Sequence, residues 1–302
     1  MTNESAAHIP VMHREVMDFL NPSAGGCFLD GTLGLAGHAS SICERIGAQG
    51  HLIGLDRDEQ SLRVARERLS GFKGRLDLAH SDFRDFDAVL NRLGVKELDG
   101  MLLDLGISSF QLDNPERGFS FRLEGPLDMC MDQNGFMSAY DLVNTLTEEE
   151  LAKIIFNFGE ERFSRRIARM VVQYRDTKPV ETTHELEEII FKAVPAAYRH
   201  QKIHPATRTF QAIRIAVNRE LESLKIALDK CFDYLKTGGR IAVISFHSLE
   251  DRIVKEKFRN LSKEKKVSLL MKKPLCAGDE EIRMNPRSRS ARLRAAERIA
   301  CN

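Results

Sequence analysis

The sequence is short of several things, and each absence narrows the field. No apolar run approaches the ~20 residues a membrane helix needs, so a membrane-spanning protein is excluded. The first residues, Met1 to Pro10, are polar and lack the basic-then-apolar pattern of an export signal, so a cytoplasmic protein is expected. Six cysteines, Cys27, Cys43, Cys130, Cys231, Cys276 and Cys301, are scattered without a C-x-x-C pair or histidines at ligand spacing. They read as reduced thiols, and no metal is expected. Internal repeats and low-complexity tracts are missing too. Net charge is nearly absent, at +1, but it is unevenly spread. Arg252 to Arg298 holds 15 Lys+Arg against 6 Asp+Glu, a local +9, which leaves 30 against 38, or −8, elsewhere. A basic segment on an acidic body points to a polyanion partner, and a solvated charged helix is the plainer alternative.

What is present, over 302 residues with 42% apolar and 29% charged, is an ordinary globular composition of one large or two moderate domains. Short apolar runs at Cys27–Leu29, His51–Leu55, Arg75–Leu78 and Gly100–Leu103 read as strands separated by helix-length connections. That alternation predicts a parallel α/β sheet. From Asp113 to about Pro205 the period changes to that of helices, with capping boxes expected at Thr147-x-x-Glu150 and Thr182-x-x-Glu185. A long helical pattern from Thr207 to about Leu235 follows, closed by Gly238 or Gly239, and then the buried-strand run Arg240–Phe246 resumes the sheet. The division is therefore 1–112, an inserted helical block 113–205, and 206–302 with the basic segment.

The densest chemical signal is Asp30-Gly31-Thr32-Leu33-Gly34-Leu35-Ala36-Gly37-His38, directly after the first strand. Glycines at a strand-to-helix turn let a ligand approach the backbone. Their positions, 31, 34 and 37, do not fit G-x-G-x-x-G, which weakens a dinucleotide reading. The second strand ends at Asp56, an acid placed to accept both hydroxyls of a ribose; capping of the next helix is the alternative and fits Asp58 better. The third strand leads to Phe83, where a side chain can lie against an adenine. The fourth ends in Asp104, an acid on a buried strand that opens into a polar turn. Together these predict a nucleoside cofactor at the strand ends.

At Asp104-Leu105-Gly106-Ile107-Ser108-Ser109-Phe110-Gln111-Leu112-Asp113 the sequence resembles the bacterial RsmH family, also called MraW. Further matching stretches are His8–Val11, the glycine loop, Glu116–Phe121, Pro126–Met129, His204–Arg208, Phe210–Arg214, Ser245–Asp251 and Asn285–Ser290, in the family's order over nearly the whole chain. The resemblance implies a class I (Rossmann-like) S-adenosylmethionine-dependent methyltransferase sheet with an inserted helical substrate-recognition domain. It implies N4-methylation of one cytidine, position 1402 in the usual numbering, of 16S rRNA in the small ribosomal subunit. Ala36, Gly37 and His38 would lie against the methionine end of S-adenosyl-L-methionine, Asp56 would hold the ribose, and Phe83, Asp104 and Gln111 would complete the pocket. Asp104 and His247 are the candidate catalytic residues. Phe110, Phe119 and Phe121 are candidates to flank the target base, and Arg208, Arg214, Arg287, Arg289, Arg292 and Arg294 to contact phosphates. Two positions depart from the family: Cys130 stands where Arg is usual, and Ala36 where Gly is frequent. The oligomeric state is left open, a homodimer included. An amino-methyltransferase acting on DNA or another RNA and a non-catalytic RNA-binding assembly factor are the alternatives.

Overall fold

The computed structural model describes residues 10–135 and 137–300, so His8 and Ile9 of the amino-terminal motif, most of the Met1–Pro10 segment, and Cys301 lie outside the described residues. The chain forms two compact units, one running through Gly106 and resuming at Leu221, the other Ile107–Glu220.

In the first unit the strands are β1 (Cys27–Asp30), β2 (His51–Asp56), β3 (Arg75–His80), β4 (Leu98–Asp104), β5 (Leu235–Ser245), β6 (Val267–Leu269), β7 (Leu275–Cys276) and β8 (Arg292–Arg298). They lie in the order β3-β2-β1-β4-β5-β8-β6, with β7 paired to β8. The pairs among β1 to β5 are parallel, while β8 runs antiparallel to β5 and β6. Successive strand residues feed opposite faces. Leu29, Ile53, Leu55, Met101, Leu103 and Val243 join one apolar cluster with Phe86, Leu90, Leu224 and Val254. Their neighbours Phe28, Leu52, Leu102, Ala242 and Ile244 join the other, with Val16, Ile42 and Leu62. This two-residue alternation, buried on both faces, is why the strands read as continuous apolar runs. Chain order reverses between β1 and β4, and ligands of such sheets bind at the carboxyl ends beside that reversal.

The second unit is helical. Ala139–Thr145, Glu148–Gly159, Ser164–Arg175, Thr183–Ala193 and Ala206–Asn218 pack their apolar stripes into one core containing Leu142, Leu151, Ile155, Ile167, Val171, Leu186, Ile190, Phe210 and Ile213. Both expected capping boxes form, at Thr147/Glu150 and Thr182/Glu185, and two more occur at Ser138/Asp141 and Ser108/Gln111. Outside its helices this unit has one β-bridge among the described residues, Pro126 with Thr182.

Two boundaries differ from the sequence reading. The inserted unit opens at Ile107 rather than Asp113, and it does not close at Pro205, because Phe210 and Ile213 of the next helix belong to its core; it extends to Glu220. The pattern over Thr207–Leu235 is not one helix either. It breaks at Arg219, whose φ of 50° is left-handed, and resumes as Glu220–Lys230. Gly238 does adopt a left-handed φ of 81°, yet it sits inside β5, where the pairing with β4 shifts register, and closes no helix.

Candidate active site

Three strands of the first unit end on an aspartate at their carboxyl termini: Asp30 on β1, Asp56 on β2 and Asp104 on β4. Asp30 is buried, and burial pushes its carboxyl up to about 7, opposed by the nearby His38 and by the Thr32 N–H that it accepts at 3.1 Å. Asp56 accepts the Gly34 N–H at 2.7 Å and the Asp58 N–H at 2.8 Å. Burial raises it to about 6 against those two bonds. The β2 carboxylate is thereby tied to the β1 loop, fixing the loop's height over the sheet edge. Asp58, as the plainer reading anticipated, caps the helix Glu59–Arg68 by accepting the Gln60 N–H.

The loop from Asp30 to His38 is shaped by its glycines and by one non-glycine. At Gly31 a Cβ would lie 2.6 Å from Leu103 Cδ2 and 3.1 Å from Phe83 Cβ, so only glycine lets β1, β4 and the turn after β3 close up. Ala36, fully buried, has φ 60°, a conformation that costs an alanine roughly 1 kcal/mol, and it precedes the helix Gly37–Ile46. Gly37 is pressed against Pro10, whose Cγ would be 2.6 Å from an added Cβ.

His38 is the second residue of that helix, and its side chain is 6% exposed. Its Nε2 lies 3.5 Å from Asp104 Oδ2. Neither ring nitrogen of His38 has a hydrogen-bond partner among the described residues, and Asp104 Oδ1 is likewise buried and unpartnered. The Asp104 backbone N–H donates to Thr32 Oγ1 at 2.6 Å, so the loop after β1 grips β4 at this residue. Phe83 opens the turn after β3 and takes the Arg57 guanidinium over its ring at 5.8 Å. The first unit thus collects Ala36, Gly37, His38, Asp56, Phe83 and Asp104 at the carboxyl ends of β1 to β4.

Gln111 belongs to the second unit, where its carboxamide Oε1 accepts the Ser108 N–H at 3.1 Å within the capping box. His247 follows β5, whose Ile244 pairs with Asp104. Its Nδ1 accepts the Glu250 N–H at 3.4 Å, capping the helix Ser248–Lys263, and its Nε2 lies 3.2 Å from Glu250 Oε1. Nδ1 is thus engaged in starting that helix, while Nε2 is buried and has no hydrogen-bond partner among the described residues.

Several expectations about the arginines and aromatic residues are corrected. Arg294 is buried and donates through Nε to Asp251 Oδ1 at 2.7 Å and through Nη2 to Oδ2 at 3.3 Å; Arg292 reaches the same carboxylate at 3.3 Å. Arg214 makes a two-point bond to Glu220, at 2.8 and 2.9 Å. Arg214 and Arg294 are committed inside the protein, Arg292 contacts the same carboxylate as Arg294 but keeps a side chain that is 44% exposed, and Arg208, Arg287 and Arg289 are exposed. Phe119 is core, and Phe121 stacks on His204 with ring centres 4.7 Å apart. The Cys130 thiol is buried beside the Met137 carbonyl at 3.5 Å, and burial pushes it up to about 12. Its own carbonyl accepts from the buried Arg117 at 2.8 Å. Sequence reasoning passed over Asp30 and Arg117. Asp30 had a visible signal, since it ends its strand as Asp56 and Asp104 end theirs. For Arg117 only its place in the matched Glu116–Phe121 stretch pointed to it.

Residues 5–299 match the model of the MraW methylase family. The chain belongs to that family. A protein of a Geobacter species named "Ribosomal RNA small subunit methyltransferase H" is 50% identical, the match covering 98% of this chain and 100% of that one. Proteins of the same name from Persephonella marina and Brevibacillus brevis are 49% and 46% identical, over 97% and 99% of this chain and 99% and 100% of theirs. For this MraW methylase family member the strand-end residues fit a nucleoside cofactor. The buried, unpartnered atoms of His38 and Asp104 are polar groups that a protein rarely leaves unsatisfied unless a ligand or a reaction uses them. Among the described residues no helix is long and apolar enough to cross a membrane.

Proposed function

We propose that the chain is an S-adenosylmethionine-dependent methyltransferase of the small-subunit rRNA whose acceptor is the N4 amine of a single 16S rRNA cytidine, acting in the cytoplasm. The observation that carries this reading is the match to the family over residues 5–299 together with three aspartates at the ends of β1, β2 and β4 in one unit. S-adenosylmethionine, when bound, supplies an electrophilic methyl group on a sulfonium. The rest of the chemistry falls to this chain. The backbone of Ala36, Gly37 and His38 holds the methionine end, Asp56 the ribose hydroxyls, and Phe83 the adenine. No metal is called on, because the sulfonium needs no further activation and the rate comes largely from alignment.

The acceptor is a poor nucleophile, since the cytosine amine shares its lone pair with the ring. Asp104 answers this by offering a carboxylate oxygen to the N–H, which draws the amine out of the ring plane and gives the proton a destination. A stacked cytosine must be splayed out before its amine reaches a buried methyl. The exposed cations Arg208, Arg287 and Arg289 supply phosphate contacts that position the strand without reading its sequence.

The test is transfer of tritiated methyl to small subunits from cells lacking the enzyme, followed by nucleoside analysis. Labelled N4-methylcytidine at one site, lost in Asp104→Ala, is the expected result; label in another nucleoside, or retained activity in that variant, overturns it. Isolated 16S rRNA and DNA run in parallel identify the working substrate.

A further inference from the structure

His38 is more than part of a backbone cradle. Its imidazole is buried at the turn between β1 and its helix, and both nitrogens lack a hydrogen-bond partner among the described residues. The nearest partner for Nε2 is Asp104 Oδ2, at 3.5 Å. Around the pair stand Asp30, at the end of β1, and His13, whose ring stacks on His38 at 5.9 Å with 14° between planes. His13 is itself anchored by Ser41 Oγ, 2.6 Å from its Nε2. The stacked His13 ring and the packed helix leave His38 little freedom to turn away.

Asp104 is therefore restrained at its backbone N–H and at Oδ2. Its N–H is spent on Thr32 Oγ1, and its Oδ2 faces His38, while Oδ1 is buried and has no hydrogen-bond partner among the described residues. We propose that His38 is the positioning residue for the methyl transfer, holding Asp104 so that its carboxylate receives the proton released by the substrate amine. As the nitrogen lone pair forms the new N–C bond, the pair of the broken C–S bond stays on sulfur, the N–H bond breaks toward nitrogen, and its proton moves to the Asp104 carboxylate. The carboxylic acid so formed is stabilised in place by the imidazole beside Oδ2. This role rests on the reading of the chain as an amine methyltransferase given above.

The tautomer of His38 reports the pairing without substrate or cofactor. Nitrogen NMR of ¹⁵N-histidine protein should show His38 with its proton on Nε2, the nitrogen facing the carboxylate, and loss of that preference in Asp104→Ala. In single-turnover methylation, His38→Ala should slow transfer on the order of 100-fold, the cost of a small misplacement of a reacting group. His38→Gln, whose amide N–H falls near the place of Nε2–H, should recover most of it. Calorimetry should give both variants a cofactor affinity within about twofold of wild type. A His38 tautomer indifferent to Asp104, a wild-type rate in His38→Ala, or a rate loss fully accounted for by cofactor affinity would each overturn the positioning role. A wild-type chain with the coupled tautomer that methylates no RNA would instead overturn the assignment of function, and the role of Asp104 with it. Circular dichroism and the His13 resonance in each variant identify misfolding, and His38→Gln keeps the test decisive if His38→Ala fails to fold.

Discussion

Replacing Arg294 by alanine should destabilise this protein without weakening any RNA contact. Its guanidinium makes a two-point bond to Asp251, and each side chain is 10% exposed. Burial alone would raise the Asp251 carboxyl, but the bonds and charge of Arg294, and then Arg292, hold it below the usual range. Breaking a fully buried pair by removing one partner costs roughly 3 to 5 kcal/mol. Here Arg292 stays 3.3 Å from the carboxylate and water reaches its edge, so the expected loss is about 2 to 3 kcal/mol. Urea unfolding at pH 7 would measure it as a lower midpoint with an unchanged slope. Because the folded state depresses the Asp251 pKa, the pair's contribution is present above the ordinary aspartate range and is lost as pH falls through it, so wild type and variant should converge in acid. Replacing both partners by apolar residues, Asp251→Leu with Arg294→Met, should cost less than Arg294→Ala alone. The salt dependence of RNA binding should be unchanged in Arg294→Ala, while Arg287→Ala with Arg289→Ala should flatten the slope of log K against log salt by roughly 0.7 to 0.9 for each phosphate that loses its arginine. An Arg294→Ala protein of wild-type stability with a flattened slope would refute the argument and return Arg294 to the RNA surface.

Asp56→Ala should weaken S-adenosylmethionine by roughly 1.5 to 3 kcal/mol, the range for hydrogen bonds to a charged group, and calorimetry that finds no change would place the ribose elsewhere. Asp30→Asn should remove a pH dependence: the folded protein raises this carboxyl to about 7, so wild type loses stability as pH rises from about 4 to 7, and the asparagine variant should not. Denaturant titrations at several pH values would show parallel curves if Asp30 were not the source. Ala36→Gly should stabilise the protein by roughly 1 kcal/mol, because the left-handed φ of 60° no longer carries a Cβ; a lower melting temperature would mean that the buried methyl outweighs the backbone strain.

The strands were legible because their alternate residues enter two apolar clusters, which makes each a run such as Met101–Leu103 with an acid at its end. Capping boxes were legible because they are local: Thr147 and Glu150 need nothing beyond their own turn. The fate of the arginines was not, because the partner of Arg294 is Asp251 and nothing in the spacing of a basic segment says which cations a fold will bury. The same distance effect moved the edge of the inserted unit, where Ala206–Asn218 continues a helical pattern in sequence but buries Phe210 and Ile213 against helices that precede it. Asp56 and Asp104 could be picked as an acidic pair; that His38 sits over Asp104 followed only from the turn between them.

The register of β4 on β5 also governs how the chain is made. Asp104 pairs with Ile244, and everything in Ile107–Glu220 is synthesised between the two. Until β5 emerges, β4 presents an open edge of unpaired amides and carbonyls, the state in which a nascent parallel sheet is most exposed to wrong partners. The helical unit, built on neighbouring helices, can fold while the sheet waits, and once folded it replaces a long floppy loop by a short rigid one. β8 then enters between β5 and β6, both made before it, so the sheet of the first unit is completed from within by the strand that carries Arg292 and Arg294. Asp251 therefore meets Arg292 and Arg294 only when β8 inserts between β5 and β6.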